Sequence, residues 1–341
     1  MTNTVVTLED VCPASDTPHP QEDHAMTSLT RRSRCTVLGA FAAASVLLLS
    51  ACGDQTDGDK GSDGSGSSGA GGGGGANAEA PLFDLLPEAI QEAGEIKVGS
   101  NIDYAPIEFF DENDEIAGID PDIAAALGEV LGVNLTFSDG TFDGLVLGLN
   151  NGRHDIVMSA MTDTKDRQNG ISEDAEGGAD FVNYFQAGSA ILVAKGNPEG
   201  VAGVEDLCGL TVAAQRGTAN EYLLDAQQET CDEAISPMIN ETDSDSITAL
   251  QSGRAQAVIT DFPVALYNEL NAGGGDLFEV VGEQIDAAPY GIAVKKDNTE
   301  LRDALQAAVQ EIIDNGTYGE VLAKWNAETG AIDEATVNAG E

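Results

Sequence analysis

From residue 81 onward, short apolar runs alternate with longer segments whose apolar positions recur every three or four residues. This is the pattern of strands alternating with helices in a layered α/β domain. Residues 96–99 read as a first strand. Asp120 and Pro121 supply an N-cap and a first-turn proline for a helix whose Ile123, Leu127, Val130 and Leu131 share one face and which Gly132 ends. Val133, Leu135 and Phe137 alternate as the next strand, 145–149 reads as a helix and 155–158 as a strand. Beyond these, the pattern predicts strands over 210–214, 278–281 and 289–294, and helices over 220–228, 244–252, 262–270, 299–313 and 318–326.

One internal repeat organises these elements. Residues 149–158 align without gaps with 250–259, so that Leu149, Gly152, Arg153 and Val157 answer to Leu250, Gly253, Arg254 and Val258. Each copy reads as a helix that ends at a glycine-arginine turn and feeds a buried strand, which predicts two similarly built lobes. The polar residues just past each strand, Ser159 to Thr162 and Asp261, then fall at strand carboxyl ends, where open α/β sheets bind ligands.

The amino-terminal 80 residues have another character. Met26 opens an export signal over 26–51: Arg31, Arg32 and Arg34, an apolar run over 36–49, then Leu49, Ser50, Ala51 and Cys52. The run is short for a bilayer-spanning helix. Leu-Ser-Ala-Cys resembles the lipobox of bacterial lipoproteins, which implies cleavage before Cys52 and diacylation of its thiol; the alternative is an ordinary secretory signal cut after Ala51. Two acyl chains anchor firmly where one binds marginally. Residues 1–25 read as an upstream extension or a mis-called start. Residues 52–80 form a linker whose glycine, serine, aspartate and alanine cannot build a core. Its root-mean-square span is roughly 30 Å.

The chain has 341 residues, 59 of them acidic and 15 basic, for a net charge of −44. Removing residues 1–51 takes five acids and three bases with it, leaving 54 against 12 and a net of −42, so the acidity belongs to the folded part. Nucleic acid and anionic lipid surfaces, which need a positive patch, are excluded as partners. Removing the signal also leaves Cys208 and Cys231 as a pair 23 apart. In an oxidising exterior they read as a disulfide, with two buried free thiols as the alternative. With three histidines in the whole chain, no metal site and no cofactor are expected.

Several ordered motifs carry a resemblance to a known family. They are Asn101, Tyr104, Pro106, Glu108 and Phe109 behind the first strand; Gly118, Asp120 and Asp122; Phe142 and Gly144; Ser159, Ala160, Thr162, Thr164 and Arg167; Gln215, Gly217, Thr218 and Ala219; and Thr260 and Asp261. Across roughly 96–325 they resemble the polar amino acid solute-binding proteins of ABC importers, family 3 of the bacterial extracellular solute-binding proteins. The resemblance implies a two-lobed periplasmic-binding-protein-like α/β fold of type II with two hinge crossings. Its first lobe is placed at 81–188, the second at 189–286, a return to the first at 287–327 and a tail at 328–341. It further implies a monomer outside the cell membrane that hands a polar amino acid to a permease.

The chemistry agrees with that implication. An α-amino acid presents a carboxylate and an ammonium a few ångströms apart, so its receptor needs a guanidinium on one side and a carboxylate on the other. Arg167 suits the carboxylate, with Thr162 and the loop of Thr218 and Ala219 assisting; Asp261 suits the ammonium, although a helix N-cap is its plainer reading. Tyr104 and Phe142 match positions where the family stacks aromatic rings on the ligand, and Ala160 lies in the loop between them and Arg167. Asn101 stands where relatives that bind cationic side chains have aspartate, and Gln215 where some have lysine. These favour a neutral polar ligand such as glutamine or asparagine, whereas Asp103 and Asp163 would favour a cation. The insertion over 169–179 reads as a solvated acidic loop at the cleft rim. The same architecture also serves, by family resemblance, cyclohexadienyl dehydratases and sensor modules, and Asp103 or Asp163 would be the general acid of such an enzyme.

Overall fold

The computed structural model describes residues 76–341; residues 1–25, the export signal, Cys52 and the linker before residue 76 lie outside the described residues. The strands are β1 Glu95–Ser100, β2 Phe109–Phe110, β3 Ile116–Ala117, β4 Asn134–Asp139, β5 Ile156–Val157, β6 Asp180–Ala194, β7 Thr211–Gln215, β8 Ser236–Asn240, β9 Ala257–Asp261 and β10 Phe278–Val294. The helices are α1 Glu88–Ala93, α2 Ile119–Leu131, α3 Leu145–Asn150, α4 Lys165–Asn169, α5 Ala219–Gln228, α6 Asp243–Gln251, α7 Phe262–Asn271, α8 Thr299–Asp314 and α9 Thr317–Trp325. Among the described residues no helix is long and apolar enough to cross a membrane.

Eight strands join in the order β4-β1-β5-β10-β6-β9-β7-β8, and β2 pairs with β3 as a hairpin. The long antiparallel strands β6 and β10 belong to both halves of the sheet. The carboxyl end of β10 pairs with β5, and the later residues of β6 pair with β9. Between these ends the β6–β10 register shifts at Val281/Ile285, Ile285/Ala288 and Tyr290/Gly291, the local irregularity by which a strand bends out of one sheet into another. Gly188 sits at this crossing, where an added Cβ would come 2.2 Å from the carbonyl oxygen of Ile285. The backbones approach too closely there for a side chain. Each half-sheet is covered on both faces by apolar clusters, one pair around Ile96 and Phe142 and the other around Ile191 and Ala190. The fold is therefore two α/β lobes joined by two crossings.

The internal repeat is visible down to its hydrogen bonds. Gly152 and Gly253 both take φ near +70°, and the next backbone N–H, of Arg153 or Arg254, turns back to the carbonyl of Gly148 or Ala249. The following residues then dock alike: Asp155 N–H donates to the Lys97 carbonyl and Gln256 N–H to that of Thr211. In return the side chains of Asp155 and Gln256 accept from Lys97 N–H and Thr211 N–H. Both copies feed a strand parallel to the first strand of their lobe, β5 beside β1 and β9 beside β7.

Four local expectations change. Gly118 caps α2 in place of Asp120, whose buried carboxylate accepts from Tyr184 Oη and from Ala160 N–H. The apolar runs at 278–281 and 289–294 are two ends of one bent strand. Strands β6 and β8 and helix α1 were not predicted at all. The tail folds back: Asn338 N–H donates to the Phe181 carbonyl, and Gly340 N–H to the carboxylate of Asp163.

Cys208 and Cys231 are bonded, which excludes the free-thiol reading. The bond ties the entry to β7 to the end of α5. In a chain-entropy account, closing a loop with a sequence separation of 23 is worth roughly 3 kcal/mol. Replacing both cysteines by serine is expected to lower the unfolding free energy by about 2–4 kcal/mol in urea titration, with ligand binding retained.

Candidate functional site

Strand carboxyl ends from both lobes converge on one small cavity. From the first lobe it is lined by Asn101 beyond β1, Tyr104, Phe142, Ala160 and Thr162 beyond β5, and Arg167 on α4. The second lobe contributes Gln215 at the end of β7, Thr218 and Ala219 at the start of α5, and Asp261 at the end of β9. Every ligand-site residue expected from the sequence therefore reaches this one space. Glu108, Ser159 and Asn220 line it too and were given no ligand role from sequence. Glu108 and Ser159 belong to the quoted motifs, but Asn220 looked like any polar residue of a helix first turn.

The lobes meet around the cavity through side chains. Gln215 Nε2 donates to Asn101 Oδ1 at 2.7 Å and to the Glu241 carbonyl at 3.0 Å, while Asn101 Nδ2 donates to the Gly140 carbonyl. Asp261 N–H donates to Tyr104 Oη at 3.1 Å. Ser244 Oγ donates to Asp103, which places that aspartate in an exposed contact between lobes and outside the cavity lining. Asp163 is also removed from the cavity: Gln168, Asn183 and Gly340 donate to its carboxylate. Neither residue is placed to favour a cationic ligand or to act as a general acid there.

Arg167 is about 1% exposed. Thr164 caps the short helix α4 by accepting from Arg167 N–H, which fixes where the side chain starts. Its Nε donates to Asp174 Oδ2 at 2.7 Å, Nη1 to the Thr162 carbonyl at 2.9 Å and Nη2 to the Gly217 carbonyl of the other lobe at 2.8 Å. Of the five N–H donors of a guanidinium, one on each Nη is left. The Phe142 ring lies 5.4 Å from the guanidinium carbon, within cation–π range. Asp174 belongs to the 169–179 insertion, so the expected solvated loop is corrected: one of its acids is buried against Arg167.

On the opposite side, Asp261 occupies the N-cap position of α7 without using its side chain as a cap. Its Oδ1 accepts from Asn220 Nδ2 at 2.9 Å, and its Oδ2 accepts from Tyr290 Oη on the crossing strand β10. That bond fixes the Asn220 amide so that its buried Oδ1 has no hydrogen-bond partner. A buried acceptor left without a donor costs about 1–3 kcal/mol, which a donor in the cavity would recover. Burial raises the Asp261 carboxyl above the ordinary range, while the hydrogen bonds from Tyr290 and Asn220 oppose the rise. On the cavity wall, Ser159 Oγ donates to Glu108. Burial first, then the Asp120 charge, pushes Glu108 well up; burial raises Asp120 to about 7.

The fold and this cavity define a two-lobed solute receptor with an acidic group and a basic group on opposite lobes. The family model for bacterial extracellular solute-binding proteins, family 3, matches residues 96–328, and the chain belongs to that family. The arginine-binding protein ArgT of Corynebacterium glutamicum is 32% identical over 259 residues, covering 74% of this chain and 81% of ArgT. The ABC transporter glutamine-binding protein GlnH of Bacillus subtilis is 30% identical over 289 residues, 83% and 93% of the two chains. Among solved structures, an ancestral arginine-binding protein bound to arginine superposes with a TM-score of 0.62 at 36% identity, covering 68% of this chain and 98% of that one.

Buried carboxyls make stability depend on pH in a definite direction. Asp243, in the first turn of α6, is raised by burial to about 7 from an ordinary 3.8, as Asp120 is. The folded chain therefore binds protons that the unfolded chain has released between pH of about 4 and 7, and this stabilisation is lost as pH rises through about 7. Asp243→Asn is expected to raise the melting temperature by about 2–4 °C at pH 8, by roughly a third of that at pH 5 and not at all below pH of about 4, as read by calorimetry.

Proposed function

We propose that this chain captures a polar α-amino acid between its lobes and presents it to the permease of an ABC importer. The observation that carries the reading is the pairing, within one enclosed cavity, of the partly engaged guanidinium of Arg167 with the carboxylate of Asp261. An α-carboxylate meets the free Nη–H donors and the backbone N–H groups at the start of α5; the ammonium meets Asp261 and the orphaned Asn220 Oδ1. Tyr104 and Phe142 close the remaining walls. The names of the relatives, arginine-binding and glutamine-binding, support an amino acid as the solute.

The chain works as a monomer and performs no chemical step on its ligand. It is held outside the cell membrane by acyl chains on Cys52, with the glycine-rich linker as a tether; the export signal and lipobox support this part. A receptor so tethered delivers its solute to a neighbouring permease instead of losing it by diffusion.

Thermal-shift screening against the twenty amino acids is expected to find one or a few that stabilise the protein, and Arg167→Ala and Asp261→Ala are expected to abolish the shift without unfolding the chain. Asn220→Ala should weaken binding about tenfold, the worth of one buried hydrogen bond. No shift with any amino acid would overturn the reading, and turnover of prephenate or arogenate would replace it with the enzymatic one. For the anchor, Cys52→Ser is expected to move the protein from the membrane to the soluble fraction.

A further inference from the structure

Among the described residues, the insertion over 169–179 supplies the acid that pairs with Arg167, and it does so from outside the cavity. Asp174 does not line the ligand space; it lies on the wall of a separate groove with Tyr222 and Arg216. Its Oδ2 takes the Nε–H of Arg167, and its Oδ1 accepts from Tyr222 Oη of the second lobe at 2.7 Å. Both ion-pair partners are about 1% exposed, so solvent screens the pair little. Gly217, which receives Nη2 from Arg167, packs into the same junction: with φ +72°, its added Cβ would stand 3.3 Å from the Asp174 Cβ.

We propose that Asp174 is a positioning and specificity-determining residue for capture: it orients the Arg167 guanidinium and cancels its charge, so that this cleft selects amino acids of net positive charge. The inference rests on the function proposed above and deepens it. Among the described residues lining the cavity, Arg167 is the only basic one. Once it is neutralised by Asp174, a ligand carboxylate brings a negative charge that nothing on the protein balances, while Asp261 balances the ammonium. A second positive group on the ligand restores neutrality.

The donor and acceptor inventory points the same way. The groups that suggested a neutral amide ligand have consumed each other: both polar atoms of Asn101 and the Nε2 of Gln215 are bound within the protein. With Asn220 Oδ1 given to the ammonium, what they leave toward a ligand side chain is an acceptor, Gln215 Oε1, on the cavity wall. A lysine-like or arginine-like side chain, all donor and no acceptor, fits that remainder; a carboxylate side chain adds a further negative charge that the cavity does not balance.

The test is calorimetric titration of the full chain in detergent with arginine, lysine, glutamine and glutamate, for wild type, Asp174→Asn, Asp174→Glu and Tyr222→Phe. Wild type is expected to bind arginine or lysine at least about tenfold more tightly than glutamine, with glutamate weakest. Asp174→Asn is expected to compress the cation-to-neutral ratio by about tenfold and to improve glutamate, and Asp174→Glu to restore the ratio. Tyr222→Phe keeps the charge and should weaken all ligands by a common factor. Equal loss for every ligand in Asp174→Asn would reduce Asp174 to a structural role and overturn the proposal while leaving the amino-acid reading intact. Glutamine or glutamate binding wild type as tightly as arginine would overturn it without any variant, even if Asp174→Asn fails to fold. Absence of binding by all four would overturn the proposal, and the screen of all twenty amino acids then decides whether the reading beneath it falls as well.

Discussion

A guanidinium that is nearly cut off from water sits where the two lobes meet, and most of the surrounding architecture answers to it. Burying such a charge costs several kcal/mol unless it is paired and its N–H groups are satisfied. Arg167 draws its partners from three separate places: Asp174 in the insertion, the Thr162 carbonyl behind β5, and the Gly217 carbonyl of the second lobe. Only the last of these depends on the lobes being together. Separating them would leave Nη2 to water and the Tyr222 hydroxyl without Asp174. The left-handed Gly217 is what turns that carbonyl toward it.

The opposite pole is wired to the hinge itself. Tyr290 lies on β10, within the irregular stretch where that strand passes between lobes, and its hydroxyl donates to Asp261. Asp261 in turn holds Asn220 and, through its backbone N–H, Tyr104. The Asp261 carboxylate, the crossing strand and the first lobe thus share one hydrogen-bonded chain. Asp261 at the end of β9 is thus held by two hydroxyls, Tyr104 and Tyr290, whose residues pack with the first lobe.

What the sequence revealed and what it hid follow a physical division. The repeat at 149–158 and 250–259 was legible because a glycine with φ near +70° leaves a residue-level mark, and the strand ends it defined were enough to gather Thr162, Arg167 and Asp261 into one space. Asp120 was misread because Asp-Pro at a helix start signals a cap, while its actual partners, Tyr184 and Ala160, are 64 and 40 residues away. Strand β6 escaped notice because it is buried along nearly its whole length and shows no alternation. Asp174 was hidden for a related reason: an acidic run normally means a solvated loop, and nothing local says that one of its carboxylates will find an arginine.

The acidity of the chain acts at two ranges that should be kept apart. A net charge of −44 sets a field over the surface, but salt confines it to roughly 8 Å, so it chiefly alters how often cations and anions arrive. The charge of Asp174 lies beyond the reach of that screening and acts on the bound state, where the local dielectric is low. An acidic exterior alone would favour any cation and would fade with salt. The Asp174–Arg167 pair discriminates among molecules that already share the same carboxylate and ammonium, and ionic strength should alter that discrimination far less than it alters the rate of encounter.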